Sequence, residues 1–309
     1  MRSGHGIPKA LRCASLLLGV LWVGCAHTGP REALPGVSTQ EYETIVASAI
    51  DANALHCNGH RAWSTTLNEH VSETTNAILK ALPASNSTES QKAVSKTVFW
   101  RLVRSAIIDG NLNNLGAIRL RGVQTTTGEP VLVFRTGLTP TPAQEGSCVH
   151  SLVHGGKVRH IVNLYAGDIP SKQLEEQEAA VIKAAGGTYF SAREAPAELA
   201  HWRDEVRDHA TPEEWRKPAQ ALAKLINEHI LRPNGQAPRG NIHIHCGGGM
   251  HRTGMVFGIL QRCLNQATEA QITWMYRRHV AWQNDETPGG FEQKNLDFIQ
   301  AFDCSLLKP

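Results

Sequence analysis

Three consecutive glycines, Gly247, Gly248 and Gly249, separate the short apolar alternation Ile242-His243-Ile244 from a long helical pattern that begins near Arg252. A strand that must turn within six residues and hand over directly to a helix is compatible with few folds. Glycine lets the main chain wrap more closely than a residue with a β-carbon allows. Successive N–H groups in such a turn point into one concavity, and the positive end of the helix dipole adds to them. The run therefore predicts an anion cradle. Its walls are Gly247, Gly248, Gly249, Met250, His251 and Arg252, with Cys246 at its base.

The same alternation of types recurs upstream. Ile118–Leu120 and Val131–Val133 read as short strands split by a polar turn over residues 125–129, and Ile161-Val162-Leu164 reads as a buried strand. A helix is expected from Gln173 to Ala185, stopped by Gly186-Gly187, followed by a strand at Thr188-Tyr189-Phe190. Pro212 opens a further helix to about Leu231. Strands alternating with helices predict an α/β fold, a central sheet of four or five strands flanked by helices. Residues 39–114 carry helical periodicity, as in Val94-Val98-Leu102, and read as an N-terminal helical extension to a domain over 115–309.

The chemistry of the cradle follows from its residue types. A helix N-terminus and a cationic neighbour favour thiolate over thiol, so Cys246 is a candidate nucleophile. Arg252 offers a planar fork that matches two oxygens of a tetrahedral anion. Thr253 can set its hydroxyl near the sulfur, and His245 immediately precedes the nucleophile. Three other readings of these residues stay open: a buried structural cysteine, a zinc site built from His243, His245, Cys246 and His251, and a non-catalytic phosphate-binding module. Residues that alternate along one strand face opposite ways, so the zinc ligands would not converge easily.

The segment His245-Cys246-Gly247-Gly248-Gly249-Met250-His251-Arg252-Thr253-Gly254 resembles the His-Cys-x5-Arg-Ser/Thr signature of protein tyrosine and dual-specificity phosphatases. Phe134-Arg135-Thr136-Gly137 and the strand ending Asn163-Leu164 are similar to the opening segments of bacterial members, where an arginine normally follows Asn/Asp-Leu. Here Tyr165 stands in its place. The resemblance covers residues 115–303. It implies a cysteine phosphatase fold, a mostly parallel sheet, and hydrolysis of phosphomonoesters through a cysteinyl-phosphate with no metal and no cofactor. It also implies an acid on the loop before the cysteine strand, at about residues 191–211, which offers Glu194, Glu198, Asp204, Glu205 and Asp208. Asp208-His209-Ala210-Thr211-Pro212 is similar to the family's Asp-His-Gly-Val-Pro loop end, which makes Asp208 the expected general acid and Asp204 the next choice. The family's Trp-Pro before that Asp is Val206-Arg207 here. A rhodanese-type sulfurtransferase is a further Cys-x5-Arg alternative, although such enzymes generally lack the His-Cys…Arg-Thr-Gly frame. The expected partner is a phosphorylated substrate, either a phosphoprotein or an inositol phosphate. The Met250-His251-Arg252-Thr253-Gly254 end is similar to the Lys-His-Arg-Thr-Gly of atypical dual-specificity phosphatases acting on inositol pyrophosphates, with Met250 replacing the lysine.

The N-terminus adds a compartment. Arg2, Lys9 and Arg12 precede an apolar run over Ala14–Val23 that ends in Gly24, Cys25 and Ala26. This is the charge–apolar–small order of an export signal, and Cys25 lies where a lipobox cysteine would be lipidated. Residues 1–25 thus read as signal peptide and lipobox, and 26–38 as a tether. The expectation is a periplasmic or membrane-anchored lipoprotein, attached to the membrane through lipid on Cys25. The mature chain would keep Cys57, Cys148, Cys246, Cys263 and Cys304, an odd number that leaves at least one thiol unpaired. Sequence does not pair the other four. A formal net charge of +3 gives no argument for nucleic acid as a partner.

Overall fold

The computed structural model describes residues 114–139, 141–167, 172–279 and 293–309, together with Lys80 and Thr88. The export signal, the tether and the helical extension apart from those two positions lie outside the described residues. Five strands form one sheet: β1 (Gly116–Gln124), β2 (Pro130–Thr136), β3 (Val158–Asn163), β4 (Thr188–Ser191) and β5 (Asn241–His245). Their order across the sheet is β1-β2-β5-β3-β4. Only β1–β2 is antiparallel; β2–β5, β5–β3 and β3–β4 are parallel. The fold is the mixed α/β sheet with flanking helices that the sequence pattern predicts.

Burial explains the strand sequences. β2, β3 and β5 occupy the middle and are buried along nearly their whole length. β2 carries a continuous apolar run, Val131–Phe134, as expected of a strand covered on both faces, whereas β3 and β5 bury His160, His243 and His245 among their branched residues. β4, at an edge, is only partly buried over Thr188–Phe190.

Eight α-helices accompany the sheet in the described residues. They are α1 (Cys148–His154), α2 (Lys172–Ala184), α3 (Ala197–Ala200), α4 (Trp202–Asp208), α5 (Arg216–Ile226), α6 (His251–Cys263), α7 (Glu269–Arg278) and α8 (Gln293–Ala301). α1 is capped by Ser147, whose hydroxyl accepts from the His150 N–H at 3.2 Å. α2 packs on β3 and β4, whereas α6 packs on β1 and β5 and carries α7 and α8. α5 starts at Arg216 rather than at Pro212. The Glu214 carboxylate accepts from the N–H groups of Ala210 and Thr211 at 3.1 and 2.9 Å, so residues 210–214 close a turn first. One π turn, Asn227–Leu231, then extends α5.

The chain runs β2, β3, β4 outward and returns to insert β5 between β2 and β3. The order reverses there, and a crevice opens beyond the carboxyl ends of the strands. Thr136 and Asn163 flank His245 in the register on its two sides. The chain end emerging from that point is Cys246 and the three glycines.

Candidate active site

The loop is held from outside by its carbonyls. The Leu138 N–H donates to Gly247 O at 2.8 Å. Asn114 Nδ2 donates to Gly248 O at 3.2 Å and Gly249 O at 3.1 Å. The Arg135 guanidinium donates to Gly249 O as well. The peptide plane is rigid, and its C=O and following N–H point opposite ways. Fixing the carbonyls of Gly247, Gly248 and Gly249 outward therefore turns the N–H groups of Gly248, Gly249 and Met250 inward. Gly249 has φ +67°, and a β-carbon there would run into the Thr136 carbonyl oxygen. The position needs glycine on both counts. Arg135 is buried at 2 % exposure and lies 5.0 Å from the Phe257 ring centroid. Asn114 is oriented in turn by His279, whose Nδ1 lies 2.8 Å from its Oδ1.

Inside the cradle, Cys246 is buried, and it is the free cysteine among the described residues. Arg252, in the first turn of α6, lies 5.8 Å from the Tyr165 ring centroid. Its Nη2 is 3.6 Å from Asp204 Oδ2. Its Nε is enclosed and has no hydrogen-bond partner among the described residues. Burial pushes the guanidinium below its ordinary pKa, opposed by the charges of Cys246 and Asp204. Thr253 is fully buried with its Oγ1 unbonded among the described residues. Met250 is buried, and His251 Nδ1 meets the Tyr276 hydroxyl at 3.1 Å. That hydroxyl also accepts from Asn295 Nδ2 at 2.6 Å, which ties α6, α7 and α8 together beneath the loop.

The two expected acids separate. Asp208 ends α4 with its side chain 61 % exposed, bonded to Arg207 Nε at 2.9 Å. That bond, along with the charges of Arg207, His209 and Lys294, holds its carboxyl below the ordinary carboxylate range. Among the described residues none of its polar contacts reaches the loop. The carboxylate beside Arg252 belongs to Asp204, one helical turn earlier.

The histidines of β5 go to different partners. The Thr136 hydroxyl donates to Gly137 O at 2.6 Å, so it accepts from His243 Nε2 at 2.7 Å. Burial, then the nearby His245, pushes the His243 pKa down to about 3. His245 Nε2 lies 2.9 Å from Glu178 Oε2. With His251 on Tyr276, the three imidazoles of the zinc reading each serve a separate contact.

Sequence reasoning missed Glu178, Asn114 and the role of Tyr165. Glu178 sits in α2 and Asn114 precedes β1, so neither is near the motif in sequence. Tyr165 had a signal, since it replaces an arginine in an otherwise similar segment. Its backbone N–H is fixed by Asn163 Oδ1 at 2.9 Å, and its ring would lie 3.3 Å from a β-carbon at Gly247.

Comparison with known proteins places little beside this chain. No protein-family model matches it, and no curated protein matches it. A solved structure, "Protein Tyrosine Phosphatase (putative) from Leishmania major", aligns with 17% sequence identity and a TM-score of 0.30, covering 59% of this chain and 96% of that one.

Proposed function

We propose that the protein is a phosphomonoester hydrolase that works through a cysteinyl-phosphate at Cys246. The observation that carries this reading is the cradle itself: glycine N–H groups turned inward around a buried free thiol, with a guanidinium at the following helix N-terminus. A phosphate dianion fits that charge and shape. The Cys246 thiolate attacks phosphorus, the S–P bond forms, and the bond to the leaving oxygen breaks. Arg252 takes two of the remaining oxygens. Its engagement with the phosphate releases the Asp204 carboxylate from the ion pair; the carboxylate takes up a proton from solvent and passes that proton to the leaving oxygen. Asp204 then accepts a proton from the water that cleaves the S–P bond and releases phosphate. The Tyr165 ring, against Gly247 and Arg252, supplies an apolar wall suited to an aryl ester. Disulfide bonds at Cys148 and between Cys263 and Cys304 support the exported reading, with residues 1–25 as signal and Cys25 as the lipidated residue.

The test is a substrate panel with full-length protein: p-nitrophenyl phosphate, a phosphotyrosine peptide, a phosphoserine peptide and an inositol polyphosphate. Hydrolysis of the first two, abolished by Cys246→Ser with unchanged thermal unfolding, is expected. Activity that survives Cys246→Ser at more than a few percent would refute the mechanism.

A further inference from the structure

The end of α6 far from the cradle carries a cation that the reaction does not use. Arg262 is the penultimate residue of that helix, and about 15 Å of helix separates it from Arg252. Its Nη1 donates to the Phe302 carbonyl at 2.6 Å. The same nitrogen lies 3.1 Å from Cys304 Sγ and 3.9 Å from Cys263 Sγ. Those two sulfurs form the bond that joins the end of α6 to the turn after α8. Arg262, Cys263 and Cys304 are all half-buried.

A disulfide is neutral and gains little from a guanidinium. A thiolate gains far more, because a charged partner strengthens the hydrogen bond and lowers the thiol's pKa. Arg262 therefore favours the opened form of this bond over the closed one. Its anchor is a carbonyl rather than a carboxylate, so its charge stays available. The other groups around the sulfurs oppose it weakly. Asp303 precedes Cys304, but its exposed carboxylate is turned to Ser305, accepting the N–H at 2.9 Å and the hydroxyl at 2.7 Å. Asn227, at the end of α5, is neutral and holds the Leu306 carbonyl and the Lys308 N–H. The exposed Lys308 adds a second positive charge.

We infer that the Cys263–Cys304 bond is a thiol-exchange site, where a small thiolate attacks Cys263 and Arg262 receives Cys304 as the departing thiolate. The direction follows from the distances, since the sulfur nearer the guanidinium is the better leaving group. The incoming sulfur bonds to Cys263 Sγ, the bond between the two cysteines breaks, and its electron pair stays on Cys304 Sγ. The product is a mixed disulfide at Cys263 and one free thiolate. A second thiol then releases Cys263 and leaves as the oxidised pair with the first. Cys246 takes no part, so the inference and the hydrolase reading stand or fall separately.

The test uses full-length Cys246→Ser protein, so that the nucleophile contributes no thiol. Glutathione is added at neutral pH, samples are quenched in acid, and peptide mapping by mass spectrometry locates the adduct. It is expected on Cys263 with Cys304 free, and an adduct on Cys304 overturns the inference. Arg262→Gln is expected to slow opening about threefold. An arginine that merely clamps Phe302 would give the opposite sign, because losing the clamp exposes the bond; faster or unchanged opening overturns the inference. In the reduced chain, alkylation of Cys304 by iodoacetamide should have its midpoint about one pH unit below that of Cys263. Arg262→Gln should bring the two midpoints together. If Arg262→Gln does not unfold cooperatively, the reduced chain with Arg262 in place carries the test, and equal midpoints decide against the inference.

Discussion

At the scale of the residue, the cradle divides its labour between atoms that hold the loop and atoms that meet the anion. Asp204 and Asp208 show how narrow that division is. Trp202 and Val206 are buried one turn apart and fix which face of α4 meets the core. Asp204 and Asp208 are likewise four residues apart, so they share a face of the helix. The sequence pattern favours Asp208; the packing of α4 against α5 and α8 puts the earlier one beside Arg252. Asp204→Asn is expected to lose on the order of 10²–10⁴-fold in turnover of phosphotyrosine, where the leaving oxygen needs a proton, and far less with a strongly activated aryl ester. Asp208→Asn should stay within a few-fold of the native protein on both. Steady-state kinetics on the two substrates check this, and equal losses from Asp204→Asn on both would reduce it to a loop anchor. Gly249→Ala should remove measurable phosphate-ester hydrolysis even where the protein still folds, since φ +67° and the Thr136 carbonyl both oppose a β-carbon.

At the scale of the element, much was legible. The five strands lie where short runs of branched and aromatic residues lie, because such side chains pack well on a pleated, buried surface. The strand–glycine–helix passage was legible for a reason of its own: no other residue closes so tight a turn. What escaped was whatever depends on one element meeting another far off in sequence, such as Glu178 of α2 against His245 of β5, or Asn114 against Gly248. A carboxylate in an amphipathic helix carries no mark of the histidine it will face. The strands also bury titratable rings. His160 in β3 accepts from the Arg239 N–H at 3.0 Å through Nε2, and its Nδ1 lies 2.7 Å from Thr188 Oγ1. Burial, with Arg239 and Arg159 nearby, pushes its pKa down to about 4. The folded chain thus refuses a proton that the unfolded chain accepts below about pH 6.5. Stability is fully present above that value, falls as the pH drops from 6.5 toward 4, and levels off for this group below 4. The loss is expected to reach about 3 kcal/mol, and His243 adds to it in the same direction. Chemical denaturation at pH 7 and pH 4.5 measures it, and His160→Gln should reduce the difference by His160's share, leaving that of His243.

At the scale of the whole molecule, a covalent tie closes the C-terminal part. Cys263 at the end of α6 is bonded to Cys304 across 41 residues, a loop that encloses α7 and α8. On chain entropy alone such a closure stabilises by about 4 kcal/mol, and less if the reduced chain keeps residual structure. Cys304→Ser should lower the denaturation midpoint accordingly while leaving the cradle's backbone intact, since Tyr276 and Asn295 still brace His251. The insertion of β5 between β2 and β3 has a consequence for how the chain is made. Its neighbours in the sheet are synthesised long before it, and its pairings are among the most distant in the sequence. Contacts of that range form late, because the loop they close must be ordered first. The thiol that must stay unpaired therefore waits on the last strand to dock, solvent-accessible while its fellow cysteines are seeking partners. Oxidative refolding should yield more native protein from Cys246→Ser than from the native sequence, with the lost fraction recovered as species cross-linked through Cys246. The architecture that shields the nucleophile once folding is complete leaves it unprotected until then.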